Sequence, residues 1–467
     1  MAKRYDVIII GGGPAGIFAA LELVTRKSYG NKPPKIAILE KGRGLADRIC
    51  IAKEKQISCA RCSPCSVVCG WGGAGAFSDG KLTLSTEVGG FLEDYIPKQE
   101  LHKLVRAVDD IYLKFGATTE IYGTDEEAIA RIEKKAVLAD LRLIPSRIRH
   151  LGTGHSQRVL QAMQDYLTQH GVEIFTQQEV VSILVENGVV KGIQTHNEEE
   201  FRGDYVIICP GREGAGWLAK EARRLKLDST VNPVDIGVRV ELPAEVLAEL
   251  TAIVFETKFI YYSKTFEDRV RTFCMCPHGE VVMENQDGLI TVNGHTHAER
   301  KTGNTNFALL VSKTFTQPFQ EPITYGRYVA GLANLLGGSV IVQRLGDLHS
   351  GRRSTKERIA KGLVQPTLTE ATPGDLSLVF PYRHLLALLE MLQALDTIAP
   401  GVNSRNTLLY GVEVKFYSSR LRLSNHLETQ IPNLYAIGDG AGVTRGLMQA
   451  SISGVIAGRD IAKKMGG

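Results

Sequence analysis

A chain of 467 residues, 43% hydrophobic, 23% charged and 7% aromatic, has room for two or three domains with cores of their own. Its net charge of +4 is too small to argue for a nucleic acid or an anionic membrane as partner, and no apolar run reaches the roughly 18 to 20 residues that span a bilayer. The basic start Met1-Ala2-Lys3-Arg4 leads into Val7-Ile8-Ile9-Ile10, too short a run for a signal sequence and without a cleavage-like site, so a cytoplasmic address is expected.

Tyr5 to Ile10 is a continuous apolar run, the pattern of a strand buried on both faces of a parallel sheet. Gly11-Gly12-Gly13-Pro14-Ala15-Gly16 follows, then a helix over about Ala15 to Thr25 with Ile17, Ala20, Leu21 and Val24 at helical spacing. The turn-rich Tyr29 to Pro34 leads to a strand, Ile36 to Leu39, that ends on Glu40. Five of the eight cysteines then crowd together as Cys50, Cys59, Cys62, Cys65 and Cys69, followed by a glycine-rich stretch from Gly70 to Gly80.

Two amphipathic helices are predicted over about Glu100 to Phe115 and Asp125 to Ala139, the second opened by a capping box from Thr124 to Glu127. A third runs from about Ser156 to His170, before Gly171. Val180 to Val185 and Val189 to Ile193 flank Asn187-Gly188, a hairpin signal, and a strand from Tyr205 to Cys209 ends at Pro210-Gly211. From about Val234 to Val342 the pattern is strand-rich, with a turn predicted at Thr291-Val292-Asn293-Gly294. A helix over about Tyr382 to Leu395 precedes the closing strand Leu434 to Ile437, the turn Gly438-Asp439-Gly440 and a helix from about Ala450. No internal repeat or low-complexity stretch interrupts this order.

The glycine turn has the G-x-G-x-x-G form after a strand and before a helix. Its first glycine permits the tight turn, its second lets the backbone approach a pyrophosphate, and its third lets helix and strand pack closely. The helix N-terminus offers unpaired N–H groups to phosphates, and Glu40 can accept from ribose hydroxyls. No second such turn follows a strand; Gly337-Gly338 lacks the spacing.

Gln430 to Asp439 resembles the C-terminal FAD fingerprint of the glutathione-reductase superfamily, in its one-Rossmann branch. The resemblance implies FAD rather than NAD, with Asp439 on a ribityl hydroxyl and Gly446-Leu447-Met448-Gln449-Ala450 facing the pyrimidine side of the flavin. Tyr205 to Gly211 matches the intermediate strand-and-glycine motif. A closer resemblance, to a largely uncharacterised family of FAD-dependent dehydrogenases, runs over nearly the whole chain. It is carried by Gly70 to Leu82, Val234 to Arg239, Arg271 to Pro277, Gln343 to Asp347, Gly411 to Tyr417 and Gly438 to Gly442. By analogy the loop with Gly72, Gly73, Ala74, Gly75, Ser78 and Lys81 lies along the pyrophosphate and flavin. The expected cofactor contacts are these, with Gly11, Gly13, Pro14, Ala15, Gly16, Glu40, Lys41, Val181, Pro210, Gly211, Gly438, Asp439 and Gly446 to Ala450.

The expected fold is α/β: a Rossmann-type FAD-binding domain with an inserted α+β substrate domain. Its boundaries are read as 1–95 for the first cofactor part, 96–150 for a helical insertion and 151–215 for the second cofactor part. Residues 216–400 are read as the substrate domain and 401–467 as the last cofactor part.

Cys59-x2-Cys62-x2-Cys65-x3-Cys69 has the spacing of a ferredoxin-type [4Fe–4S] run, although Gly70 stands where a proline usually follows. Cys59, Cys62 and Cys65 form the core of that reading. Cys50 and Cys69 compete equally for the fourth place, with Cys276 a distant third. Zinc, a redox-active dithiol at Cys62 and Cys65, and plain buried thiols are the other readings. Cys274 and Cys276 would share one strand face and, with Lys415, are the candidate catalytic residues, against the plainer reading of core residues.

Arg344, Arg352, Arg353, Lys356 and Arg358 could neutralise an anionic substrate or form a solvated face. His295 and His297 suit a metal or an ordinary loop. The leading function is an oxidoreductase exchanging a hydride between flavin and a small organic substrate, an anionic or unsaturated acid among the candidates. A cluster would relay single electrons to or from a ferredoxin-like partner. A flavin-dependent RNA-modifying enzyme, disfavoured by the modest charge, and a non-catalytic electron-transfer flavoprotein are the alternatives, with an oxygen-activating monooxygenase last.

Overall fold

The computed structural model describes residues 3–26, 33–55, 62–78, 80–230, 232–286, 288–296, 301–313, 315, 321–416 and 420–466. They divide into two compact units. The first comprises Met1–Glu120, Arg149–Asn232 and Tyr417–Gly467, and the second Ile121–Ile148 and Pro233–Phe416.

In the first unit the strand Lys3–Ile10 lies between Ile36–Glu40 and Glu200–Ile208, parallel to both. Glu173–Thr176 extends the sheet beyond Ile36–Glu40, and Leu434–Ala436 pairs in parallel with the end of Glu200–Ile208. Val7 to Ile9 and Ile36 to Leu39 are fully buried, as a strand covered on both faces requires. The predicted hairpin forms from Val180–Glu186 and Val189–Thr195, with Asn187 and Gly188 at φ 52° and 76°. The helix Pro14–Thr25 packs on the last helix, Leu447–Met465, so closely that a Cβ at Gly454 would lie 2.1 Å from the Ala15 carbonyl oxygen.

The second unit is built on an eight-stranded sheet. Its order is Thr372–Pro373, Ile341–Arg344, Leu408–Lys415, Val234–Pro243, Asn304–Lys313, Arg269–Cys276, Lys258–Tyr262, Leu141–Ile144. Along Val234–Pro243 one face carries Val234, Ile236, Val238, Val240 and Leu242, all in an apolar core. The other face carries Asp235, Arg239 and Glu241, also buried. A hairpin of Glu280–Gln286 and Leu289–His295 covers part of that polar face, since a Cβ at Gly294 would lie 1.7 Å from Arg239 Nη2.

Several expectations shift. The segment read as a helical insertion, 96–150, is divided: Lys98–Lys114 belongs to the first unit and Glu126–Leu138 to the second. Tyr112 settles the former, because its ring packs 4.9 Å from that of Phe18 and its hydroxyl lies 3.0 Å from that of Ser451. The strand Leu408–Lys415, expected with the last cofactor part, pairs instead with Val234–Pro243. Asp125, not Thr124, caps the second helix, accepting from Ala128 N at 2.9 Å. Residues 291–294 are strand rather than turn; Val292 is fully buried, and Gly288 at φ 84° takes the turn. Gly338 is the left-handed C-cap of the helix Pro322–Gly337. Among the described residues no helix is long and apolar enough to cross a membrane.

His384 in the helix Tyr382–Ile398 is buried, with no hydrogen-bond partner on either ring nitrogen. Burial, with help from the Lys313 and Arg383 charges and against that of Asp268, lowers its pKa to about 4. Its folded pKa thus lies below the unfolded value, so its contribution is complete above about pH 6.5 and is lost as pH falls toward 4. Thermal midpoints measured from pH 7.5 to 4 should fall in this window. His384→Leu should flatten that part of the curve.

Candidate cofactor and substrate sites

The carboxyl ends of three parallel strands meet in the first unit. Cys209 N donates to Ile10 O and Ile437 N to Ile208 O, both at 2.9 Å, which aligns the three turns that follow. Gly11 sits at φ 118°, and a Cβ there would be 2.2 Å from Cys209 O; one at Gly16 would be 2.2 Å from Gly11 O. These two glycines are needed for close main-chain packing. Gly13 differs: a Cβ there would lie no nearer than 3.9 Å, against Gly73 Cα. The Gly70–Gly75 stretch is held beside it by Gly72 N donating to Gly12 O at 2.7 Å. A Cβ at Gly438 would touch that of Ala15 at 3.1 Å, and one at Gly440 would meet Gly211 O at 2.5 Å. Gly11, Gly13, Pro14, Gly73, Ala74, Pro210, Gly211, Asp439 and Gly446 are thus gathered in one unit, each partly open to solvent.

Neither the helix Pro14–Thr25 nor Leu447–Met465 has a side-chain cap or an acid in its first turn. Both N-termini therefore keep orphan donors and a positive dipole end for an anion. Glu40 is buried and accepts from Gly12 N at 2.7 Å and Gly42 N at 2.8 Å. A carboxylate has about four lone-pair sites, so it can still accept from a ribose. Asp439 accepts from Thr444 Oγ1 at 2.6 Å, with Arg212 Nε 4.0 Å away.

Other expected contacts have local roles. Ser78 Oγ donates to Gly75 O at 3.0 Å, and Lys41 pairs with Glu179 at 3.1 Å. Val181 is half exposed, its carbonyl accepting from Trp217 Nε1 at 3.0 Å. Lys81 opens the strand Lys81–Thr83. The Met448 side chain is buried in the core. The Gln449 side chain donates to Thr86 O and Val88 O at 3.0 and 3.1 Å, which fixes that loop rather than facing outward.

One residue escapes sequence reasoning altogether. Arg48 is buried and donates to four main-chain carbonyls: Ser66, Val67, Trp71 and Gly73, at 2.6 to 2.8 Å. Its guanidinium lies 4.7 Å from the Phe77 ring centre. Burial lowers its pKa to about 10, against the attraction of Glu40, Cys69 and Cys65, so it stays cationic at neutral pH.

The cysteines spread out. Cys69 is buried with Sγ 3.5 Å from Glu40 Oε1, and burial, then Glu40, pushes its pKa up. It is a thiol at neutral pH. Cys62 is exposed, Cys50 and Cys65 are half-buried, and Cys59 lies outside the described residues. Among the described residues no three His, Cys, Asp or Glu side chains are grouped to hold a metal. His297 also lies outside them.

In the second unit Cys276 is buried, with Arg239 Nη2 donating to its Sγ at 3.2 Å and to Cys274 O at 2.7 Å. The expected shared face for the two cysteines fails: the ladder shifts register between Phe273 and Cys276, and Cys274 sits at φ 45°. Such a bulge breaks the alternation. Lys415 is buried and pairs with Glu413 at 2.9 Å. Arg344 and Arg358 donate to main-chain carbonyls and Arg352 pairs with Asp347 at 3.0 Å, so these bases serve their own segment.

Residues 88–301 match the family described as FAD dependent oxidoreductase. Residues 233–416 match the one described as FAD-dependent protein, C-terminal domain-like. The chain is an FAD-dependent oxidoreductase. The second match coincides with the larger segment of the second unit. A protein of Clostridium beijerinckii described as uncharacterized is 27% identical over 482 residues, which is 98% of this chain and 80% of that one. The chain is also similar to L-proline dehydrogenase from P. horikoshii, at 12% identity and a TM-score of 0.45 over 99% and 95% of the two chains. For 3-ketosteroid-delta4-(5alpha)-dehydrogenase from Rhodococcus jostii RHA1 the values are 13%, 0.45, 98% and 97%. The first unit's residues fit FAD: uncapped helix N-termini, room for a Cβ-sized group at Gly13, and carboxylates at both ends.

Proposed function

We propose that the chain moves a hydride between FAD and a small organic acid borne by the second unit, and that its cysteine segment carries an electron relay. The convergence of Gly13, Gly73, Gly211 and Asp439 in one unit carries the first part. When bound, the flavin supplies two-electron chemistry that can be released one electron at a time. The uncapped helix N-termini neutralise the phosphates, Glu40 orients the ribose, and Asp439, fixed by Thr444, holds the ribityl chain. The arrangement suits a glutathione-reductase-like protein with one dinucleotide fold, which leaves nicotinamide without a domain of its own.

The spacing of Cys59, Cys62 and Cys65 supports a [4Fe–4S] relay to a ferredoxin-like partner. Cys69 is buried with its Sγ 3.5 Å from Glu40, whereas Cys50 is half-buried, which favours Cys50 as the fourth ligand. Protein purified without oxygen should contain about one FAD per chain, with iron and acid-labile sulfide in equal amounts. Zinc without iron would remove the relay and leave the flavin reading standing. Absence of flavin after supplementation would overturn both.

A further inference from the structure

We infer that the second unit binds a planar carboxylate at Lys415, against the ring of Phe273. The inference rests on the second unit being the substrate-bearing one. Glu413 is fully buried and is the carboxylate in contact with two cations, Arg239 at 3.5 Å and Lys415 at 2.9 Å. The Arg239 side chain is 0% exposed and that of Lys415 8%. Two cations thus share one anion in a place where charge is poorly solvated, and removing ions from water without full pairing is costly. Glu413 cannot neutralise both.

Buried polar atoms nearby lack hydrogen-bond partners on both sides, the two Glu413 carboxylate oxygens among them. Arg239 Nη1, 3.5 Å from Glu413, makes no hydrogen bond and neither does Asn306 Nδ2, although Arg239 Nε donates to Asn306 Oδ1 at 2.7 Å. The Arg239 end is closed, because Gly294 lies directly over its Nη2. At the other end the Lys415 side chain is 8% exposed and its neighbour Phe273 is half-buried. The Lys415 Nζ lies 5.9 Å and the Arg271 guanidinium 4.6 Å from the Phe273 ring centre. Arg271 is anchored from behind by Asp235, 3.2 Å from its Nε. An aromatic ring with two cations over it suits a conjugated or aryl acid set against the ring, with its carboxylate on Lys415.

Trans-cinnamate and its neutral amide, cinnamamide, titrated calorimetrically into the FAD-loaded protein, test this. Cinnamate should bind at least tenfold more tightly than cinnamamide. Lys415→Met should abolish that preference and Lys415→Arg should keep most of it. Phe273→Leu, which leaves every charge in place, should weaken cinnamate several-fold and decides the matter if Lys415→Met does not fold. Equal binding of acid and amide, or no binding of cinnamate, would overturn the inference. FAD content, read from absorbance of each preparation, separates that failure from a failure of the flavin reading itself.

Discussion

Arg48→Met is expected to strip the protein of FAD and to lower its thermal midpoint by roughly 5 to 10 °C. The guanidinium joins the carbonyls of Ser66 and Val67, in the cysteine segment, to those of Trp71 and Gly73, in the turn beside Gly13. Methionine can fill the volume but donates nothing. Leaving buried carbonyls unmet costs about 1 to 3 kcal/mol each, so even partial rehydration leaves a loss of about 3 kcal/mol. For a unit of this size that corresponds to roughly the midpoint shift stated. Lysine should restore only part, since its compact ammonium cannot reach four acceptors spread around a planar fork. FAD retention on gel filtration and a melting curve would check it. Retention of both in Arg48→Met would mean that the turn holds itself.

The second large effect separates two glycines of one motif. Gly11→Ala should prevent folding of the first unit. Its φ of 118° disfavours any side chain, and the new methyl would lie 2.2 Å from Cys209 O. That carbonyl cannot retreat, because Cys209 N is tied to Ile10 O. Gly13→Ala should fold normally, as the nearest atom to its Cβ would be 3.9 Å away. The methyl would occupy the space a pyrophosphate needs, and FAD affinity should fall roughly tenfold or more, about 1.4 kcal/mol. Circular dichroism melts and FAD titration of the two variants distinguish the roles. An alanine at position 13 that left FAD affinity unchanged would move the phosphates elsewhere.

Much of the first unit was readable in one dimension because its signals are local. Each of its central strands is buried on both faces and so appears as a short apolar run, and each turn carries its own glycines. Gly11, Gly16 and Asn187-Gly188 are legible for that reason. The second unit was less so. Asp235, Arg239, Glu413 and Lys415 look like ordinary surface charges in sequence, yet all four are buried. Arg48 gave no signal, since acceptors on four separate carbonyls carry no residue signature.

The cysteine segment shows the same limit. Spacing alone groups Cys69 with Cys62 and Cys65, but folding brings its thiol to Glu40 across 29 positions. The glycine turns, the buried parallel strands and the two uncapped helix starts follow from backbone geometry, which depends on near neighbours in the chain. Near-neighbour patterns therefore established a dinucleotide fold, and the resemblance of Gln430 to Asp439 to an FAD fingerprint implied which dinucleotide. The clamp at Arg48, the thiol at Glu40 and the shared carboxylate at Glu413 were decided only by tertiary structure, because hydrogen bonds and charges act across space and leave no periodic trace.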